Sequence, residues 1–207
     1  MTWRTLGMGS TTPSEGPPSD SAPGLPHTLP TVAYTWTCSR CSQVHEGLPL
    51  SWAFDAPIYW HWLGEAKRRT RGFCDGDFCF MTDAAGEPAR FVRGTIEIPI
   101  VDAADPAEDS FVIGVWASLS ERSFDEVGRA QQADGADAGP WFGWLSNRIP
   151  VYPDTLNLQT QVRHRQGLRP LVEIKPSDHP LAQDASGITV ARARELAERW
   201  YHESDAR

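Results

Sequence analysis

The sequence lacks any apolar run long enough to cross a bilayer. Its longest strongly apolar stretch, Phe111 to Ala117, is far short of the roughly 20 residues a spanning helix needs. It is also poor in positive charge, with 19 Lys and Arg against 27 Asp and Glu and a net charge of −8 over 207 residues. Each phosphate contact needs a Lys or Arg, so a broad nucleic-acid surface is excluded as the expected mode of action. Arg4 is not followed by an apolar segment, so the chain reads as having no secretory signal and as cytoplasmic. There is no glycine-rich phosphate loop, no Gly-x-Ser-x-Gly elbow, no His-Glu-x-x-His helix and no fixed-period repeat. The reaction classes those signatures announce therefore find no support here.

What is present is a globular balance of 40% hydrophobic and 22% charged residues. Residues 1–32 stand apart, because Pro, Gly, Ser and Thr fill 20 of the 32 positions. Such a stretch buries too little apolar surface to offset the entropy of ordering it, so a disordered tail is expected. Residues 33–207 are then a single globular domain, large enough to bury its own core.

Short strands separated by turns dominate this domain. Tyr34–Thr37 reads as a strand leading into Cys38, and Phe78–Thr82 with Arg90–Val101 as a hairpin joined through Asp83-Ala84-Ala85-Gly86. Val92, Gly94, Ile96 and Ile98 alternate with Phe91, Arg93, Thr95 and Glu97, giving one apolar and one more polar face. Phe111–Leu119 is apolar on both faces and fits a central strand. Trp141–Leu145, Leu158–His164 and Leu171–Lys175 complete the expected strands.

Three helices are expected: Pro57–Arg69, Ser120 to about Gln132, and a last one from Thr189 as N-cap to about His202. In the second, Ser120 and Ser123 are equally good caps, Ser123 having capping-box spacing to Glu126. In the last, Val190, Ala193, Ala197, Trp200 and Tyr201 line one stripe. Strands follow strands before helices intervene, so the expected class is α+β with a largely antiparallel sheet of five to seven short strands.

The four cysteines fall in two close pairs, Cys38 with Cys41 and Cys74 with Cys79. A tight turn after one thiolate brings a second within reach of the same tetrahedral ion, as in zinc knuckles. His45 follows Cys41 by four residues and offers a nitrogen in place of one sulfur. Buried inert thiols and a redox pair are the competing readings. Four protein ligands would make the zinc structural, whereas three and a water would make it catalytic, and spacing does not separate the two.

A second group of polar residues lies in the second half: Arg148, Tyr152, Asp154, Arg169, Glu173 and His179. Prolines on both sides of the Tyr152 segment imply a rigid connection able to aim side chains at a cleft. Asp154 and Asp178 are each able to orient a histidine, and Arg148 or Arg169 to hold a carboxylate or phosphate. The bland reading has Asp154 capping a turn, His179 satisfying a backbone group and Arg169 pairing with Glu173. Most of the nine tryptophans fall in expected elements and read as core, with ligand stacking by Trp141 or Trp144 as the minor alternative.

Several ordered strings resemble an uncharacterised bacterial domain-of-unknown-function family, numbered 2199. They include Cys38-x-x-Cys41-x-x-x-His45-Glu46-Gly47-Leu48-Pro49, Phe91-Val92-Arg93-Gly94, Gly114-Val115-Trp116-Ala117-Ser118-Leu119-Ser120 and Phe142-Gly143-Trp144-Leu145. Tyr152-Pro153-Asp154-Thr155, Arg169-Pro170-Leu171 and His179-Pro180-Leu181-Ala182 continue the match, which spans about residues 36 to 200. The resemblance implies no activity. It does imply a zinc ligand set of Cys38, Cys41, His45 and Cys79, with Cys74 as an extra thiol. Ser42 stands where the family often has glycine, and Val151 where glycine precedes Tyr-Pro. The leading expectation is a cytoplasmic, non-enzymatic binding module with a structural zinc knuckle and a basic protein partner. The alternative is an enzyme using a polar cleft around Asp154, Arg169 and His179.

Overall fold

In the computed structural model, residues 35–204 are described except 39–40, 48, 84, 105–107 and 134–137. The expected tail, residues 1–32, lies outside the described residues. In chain order the elements begin with β1 (Thr35–Thr37), β2 (Val44–Glu46), β3 (Ser51–Ala53), α1 (Ile58–Trp62), α2 (Glu65–Arg71), β4 (Gly72–Cys74) and β5 (Phe78–Thr82). The long strands β6 (Pro88–Pro99) and β7 (Ser110–Leu119) follow, then α3 (Glu121–Gln132), β8 (Trp141–Leu145), β9 (Gln159–Arg165) and β10 (Leu168–Ile174). Helices α4 (Pro180–Asp184) and α5 (Val190–Ser204) close the chain's described part.

The architecture is α+β, but the sheet is mixed rather than largely antiparallel. Eight strands run in the order β3-β7-β8-β9-β10-β6-β5-β4, and β1 with β2 form a separate ribbon. Strand β3 joins β7 in parallel, and β10 joins β6 in parallel at Leu171↔Thr95. Alternation along a strand is the same whichever way its neighbour runs, so the direction of these two pairings was not legible in the sequence. Because β6 also pairs with β7, hydrogen bonding returns on itself and β6 to β10 close into a ring.

The expected alternation in β6 sets what the ring contains. Val92, Gly94, Ile96 and Ile98 stand opposite Ala117, Val115, Ile113 and Phe111 of β7, and all are buried. With Val127 of α3, Leu181 of α4 and Ala193, Leu196 and Trp200 of α5 they form the main core. On the opposite face of the same two strands Phe91 and Trp116 join Cys79 and Met81 of β5 in a smaller cluster, covered by Tyr59, Trp60 and Leu63. Strand β7 is thus buried on both faces, as its continuous apolar run requires.

Two devices secure the seam between β6 and β10. A Cβ on Gly94 would stand 2.6 Å from the Pro170 carbonyl oxygen and 2.6 Å from Val172 Cγ2, so the strands approach only because no side chain is there. Gly94→Ala is expected to cost about 1–3 kcal/mol by overpacking, read as a fall in Tm of roughly 2–4 °C per kcal/mol. Arg165 spans the same seam, donating to both Glu97 carboxylate oxygens at 2.7 and 3.0 Å, to Thr95 Oγ1 at 3.0 Å and to the Arg169 carbonyl. The Arg165 hydrogen bond holds the Glu97 carboxyl below the usual carboxylate range, with Thr95 assisting. A carboxyl lowered in the fold stabilises it above its unfolded pKa of about 4.3, and loses that contribution as pH falls through the folded value. Glu97→Gln should therefore flatten the acid limb of a Tm-against-pH curve, with the difference from wild type vanishing at the lowest pH.

The helices differ from expectation in number. The expected Pro57–Arg69 helix is two, because Gly64 adopts φ +67, a left-handed backbone angle that interrupts the ladder. Arg68 answers the break by donating to the Trp60 and His61 carbonyls at 2.8 and 2.9 Å. Ser120 is the cap of α3, accepting from the Ser123 amide at 3.2 Å. Glu126 is used elsewhere, on Trp141 Nε1 at 2.7 Å and Arg122 Nε at 2.9 Å. Thr189 caps α5 through the Arg192 amide. Among the described residues no helix is long and apolar enough to cross a membrane.

Candidate metal centre

The ribbon of β1 and β2 is built from three residue pairs, Thr35↔Glu46, Trp36↔His45 and Thr37↔Val44. Between its strands the chain turns tightly. The Cys38 amide donates to the Gln43 carbonyl and the Ser42 amide to the Cys38 carbonyl, each at 2.9 Å. Ser42 takes φ 59, the left-handed conformation for which glycine is the usual residue at such a turn. The result folds Cys41 back onto His45, with Sγ and Nε2 3.4 Å apart.

Cys38, Cys41 and His45 each present one donor atom, and the three donors all lie within 4.8 Å of one another. Around zinc, with sulfur at 2.3 Å and nitrogen at 2.0–2.1 Å, tetrahedral neighbours stand about 3.5–3.8 Å apart. The trio therefore fits one small divalent ion. Cys38 is buried and Cys41 exposed, so the site lies at the protein surface with one ligand anchored inside.

The neighbourhood fixes the histidine. Its ring lies against Trp36, with centroids 4.9 Å apart, and against the edge of Tyr201 at 5.2 Å. Trp36 donates from Nε1 to the Gly47 carbonyl at 2.9 Å and carries the Arg194 guanidinium 5.3 Å above its ring. Arg194 also donates to the Thr37 carbonyl at 2.8 Å, so α5 holds the ribbon in place. Tyr201 belongs to the expected buried stripe of that helix, yet it is 46% exposed and packs on His45 instead. Trp36, His45, Glu46, Gly47, Pro49 and Tyr201 line a depression of about 330 Å³ beside the cluster.

Cys79, the expected fourth ligand, is not in this group. The β4–β5 register puts it opposite Cys74, fully buried in the smaller core cluster with Met81, Phe91 and Trp116. Among the described residues three side chains offer donor atoms here, one fewer than a closed tetrahedral zinc site takes.

The six polar candidates of the second half do not converge on a common cleft. Arg148 meets Asp154 at 3.4 Å and lies over the Trp62 ring, while Asp154 accepts from the Leu156 amide in a local turn. Tyr152 is buried and donates to Asp184 at 3.1 Å; burial pushes its phenol well above the ordinary range, and Asp184 adds to this. Arg169 pairs with Asp77 at 3.1 Å rather than with Glu173, which pairs with Arg163. His179 caps α4, accepting from the Leu181 amide at Nδ1. Arg148, Arg169 and Glu173 line three different depressions. Of the two tryptophans considered for stacking, Trp141 is tied to Glu126 and Trp144 is 40% exposed beside Phe142.

Among the buried polar residues to which sequence reasoning gave no role is Asn147. Its side chain accepts from the Trp116 amide at 2.7 Å and donates to the Ala56 carbonyl at 2.9 Å, joining segments far apart in sequence. A family model described as an uncharacterized protein conserved in bacteria (DUF2199) matches residues 37–188. That span contains Cys38, Cys41 and His45 and ends just before α5. No curated protein and no solved structure matches the chain.

Proposed function

This chain belongs to the uncharacterised bacterial family DUF2199, and from that premise we propose that it is a non-enzymatic binding module whose surface ribbon is stapled by zinc. The observation that carries the reading is the convergence of Cys38, Cys41 and His45. A two-stranded ribbon of three residue pairs is marginal by itself in water, and of its strand residues only Trp36 is buried. A metal ion supplies the cross-link that such a ribbon lacks, which is a folding role. The soft thiolate pair with an imidazole suits zinc over magnesium or calcium. The separate engagements of the polar candidates, with Arg148, Arg169 and Glu173 in three different depressions, support a module over an enzyme built on Asp154, Arg169 and His179.

The partner is a basic protein rather than a nucleic acid or a membrane, because the net charge of −8 attracts cations and repels phosphate. The cytoplasm is the compartment, in keeping with four cysteines of which none forms a disulfide. The convergence of three donors rather than four favours a second reading, in which water completes the metal's coordination and does chemistry.

Cobalt substitution separates the two. In the full chain, one equivalent of cobalt should give thiolate-to-metal absorption that Cys38→Ser and Cys41→Ser abolish and Cys74→Ser leaves intact. A visible spectrum unmoved by added azide means a closed, structural site and supports the module. A spectrum that shifts with azide reveals an exchangeable position and favours the enzyme. No uptake of cobalt or zinc ends both readings.

A further inference from the structure

We propose that Cys74 and Cys79 form a reversible redox pair, a dithiol that a hydroperoxide converts into a cross-strand disulfide, chemically separate from the metal centre.

The geometry begins with a turn. Asp75 accepts from the amides of Asp77 and Phe78 through Oδ1, at 2.9 and 2.6 Å, and its own amide donates to the Phe78 carbonyl at 2.9 Å. Asp75 and Phe78 are therefore a hydrogen-bonded pair of the β4–β5 hairpin. In an antiparallel ladder such pairs alternate with non-hydrogen-bonded ones, whose Cα atoms stand only about 4.5 Å apart. The next pair is Cys74↔Cys79, which falls at the closer kind of site. That spacing lies inside the range of about 4.4–6.8 Å in which a disulfide closes without backbone movement.

The two thiols are free and hydrogen-bonded to each other, and they differ in surroundings. Cys74 is half-buried at the hairpin edge, whereas Cys79 is fully buried against Met81, Phe91 and Trp116. The Cys79 thiol donates to the Cys74 sulfur, which holds the Cys74 thiol below its ordinary range against the opposing effects of burial and of the Asp75 and Asp55 carboxylates; Arg68 assists. The same contact and burial push Cys79 up. A half-buried sulfur reachable from solvent, beside a fully buried partner across the strand pair, is the arrangement of an attacking and a resolving cysteine.

The chemistry balances without any group beyond the oxidant. The Cys74 thiolate attacks a hydroperoxide; an S–O bond forms, the O–O bond breaks, and the departing oxygen takes a proton and leaves as alcohol or water. Cys79 sulfur then attacks Cys74 sulfur; the S–S bond forms, the S–O bond breaks, and the hydroxyl departs with the Cys79 proton as water. Two thiols lose two electrons and one peroxide is reduced. A dithiol reductant reverses the process by thiol–disulfide exchange.

The hairpin also bears Phe73, Asp75 and Phe78, which with Phe124, Asp125 and Arg129 line a depression of about 420 Å³ against α3. Oxidation would fix the strand pairing at its rim.

The test uses the full reduced chain exposed to hydrogen peroxide, alkylated under denaturing conditions and digested with trypsin. Cleavage after Arg71 and Arg90 leaves both cysteines in one peptide, residues 72–90, while Cys38 and Cys41 fall on separate peptides divided at Arg40. The expected product is the peptide without either alkyl group and two hydrogens lighter, returning to the doubly alkylated form after dithiothreitol. Cys79→Ala should instead accumulate a dimedone-reactive sulfenic acid at Cys74, and Cys74→Ser should leave Cys79 fully alkylated after the same exposure. The half-buried position of Cys74 makes the serine variant compatible with the fold, so the proposal does not hang on the buried site. If both thiols stay alkylatable in wild type while Met81 in the same peptide gains oxygen, or if Cys74 crosslinks to Cys38 or Cys41 instead, the pair is not the redox site.

Discussion

Removing zinc from the loaded chain should lower its melting temperature by about 5–10 °C. The folded ribbon holds Cys38, Cys41 and His45 together, so an ion bound there favours the native state over the unfolded chain, in which the three residues are not pre-positioned. At a free concentration one hundred times the dissociation constant, such a ligand stabilises by about 2.7 kcal/mol. A domain of this length shifts by roughly 2–4 °C per kcal/mol. The measurement is differential scanning calorimetry of zinc-loaded protein with and without a chelator. Cys38→Ser and His45→Ala should start near the chelated value, and chelator should then have no further effect. Cys38 is buried, so its replacement carries a packing cost of its own; insensitivity to chelator is the result that identifies loss of the metal. A wild-type transition that chelator leaves unmoved would show that the ribbon does not depend on an ion.

Asn147→Ala should cost a comparable or larger amount, about 2–6 kcal/mol. Both groups that its side chain serves are main-chain groups in the interior: the Trp116 amide, in the middle of β7, and the Ala56 carbonyl, just ahead of α1. Leaving a buried donor or acceptor unpaired costs about 1–3 kcal/mol each, and both are left here at once. Thr155 is part of the same arrangement, donating to the Asn147 carbonyl at 2.8 Å and accepting from the Ile149 amide at 2.9 Å. Urea unfolding should show a lower midpoint at unchanged slope for Asn147→Ala and, to a smaller extent, for Thr155→Val. Asn147→Asp keeps the acceptor for Trp116 but loses the donor to Ala56 and buries a charge. It should be at least as unstable as the alanine variant at neutral pH and recover partly in acid. A change below about 1 kcal/mol for Asn147→Ala would mean that these backbone groups find other partners.

The metal trio is the part of the site that the chain encodes locally. Three and four residues separate Cys38, Cys41 and His45, one turn and one strand pair bring them together, and such spacing reads directly from sequence. The β5–β6 hairpin is legible for the same reason, as are the two faces of β6, because alternation and turn residues act over a few positions. Cys79 illustrates where that reasoning ends. Whether it could reach the ion depended on which way β5 packs, and its register opposite Cys74 turns the side chain toward Trp116 and Phe91. The polar residues from Arg148 to His179 failed as a cluster on the same ground: partners such as Asp77 for Arg169 lie 92 residues away.

Composition and pattern alone determined that this chain is α+β, that Phe111–Leu119 is a central strand, that Ser120 and Thr189 are competent helix caps, and that Cys38, Cys41 and His45 are able to share an ion. Only the tertiary structure decided that β3 joins β7 and β10 joins β6 in parallel, that the strands from β6 to β10 close on themselves over Gly94, and that Asn147 holds the interior together. Local signals are fixed by sterics within a turn or two of chain. Strand direction, ring closure and the company a buried side chain keeps depend on which distant segments meet, and those meetings are chosen by the packing of the whole core.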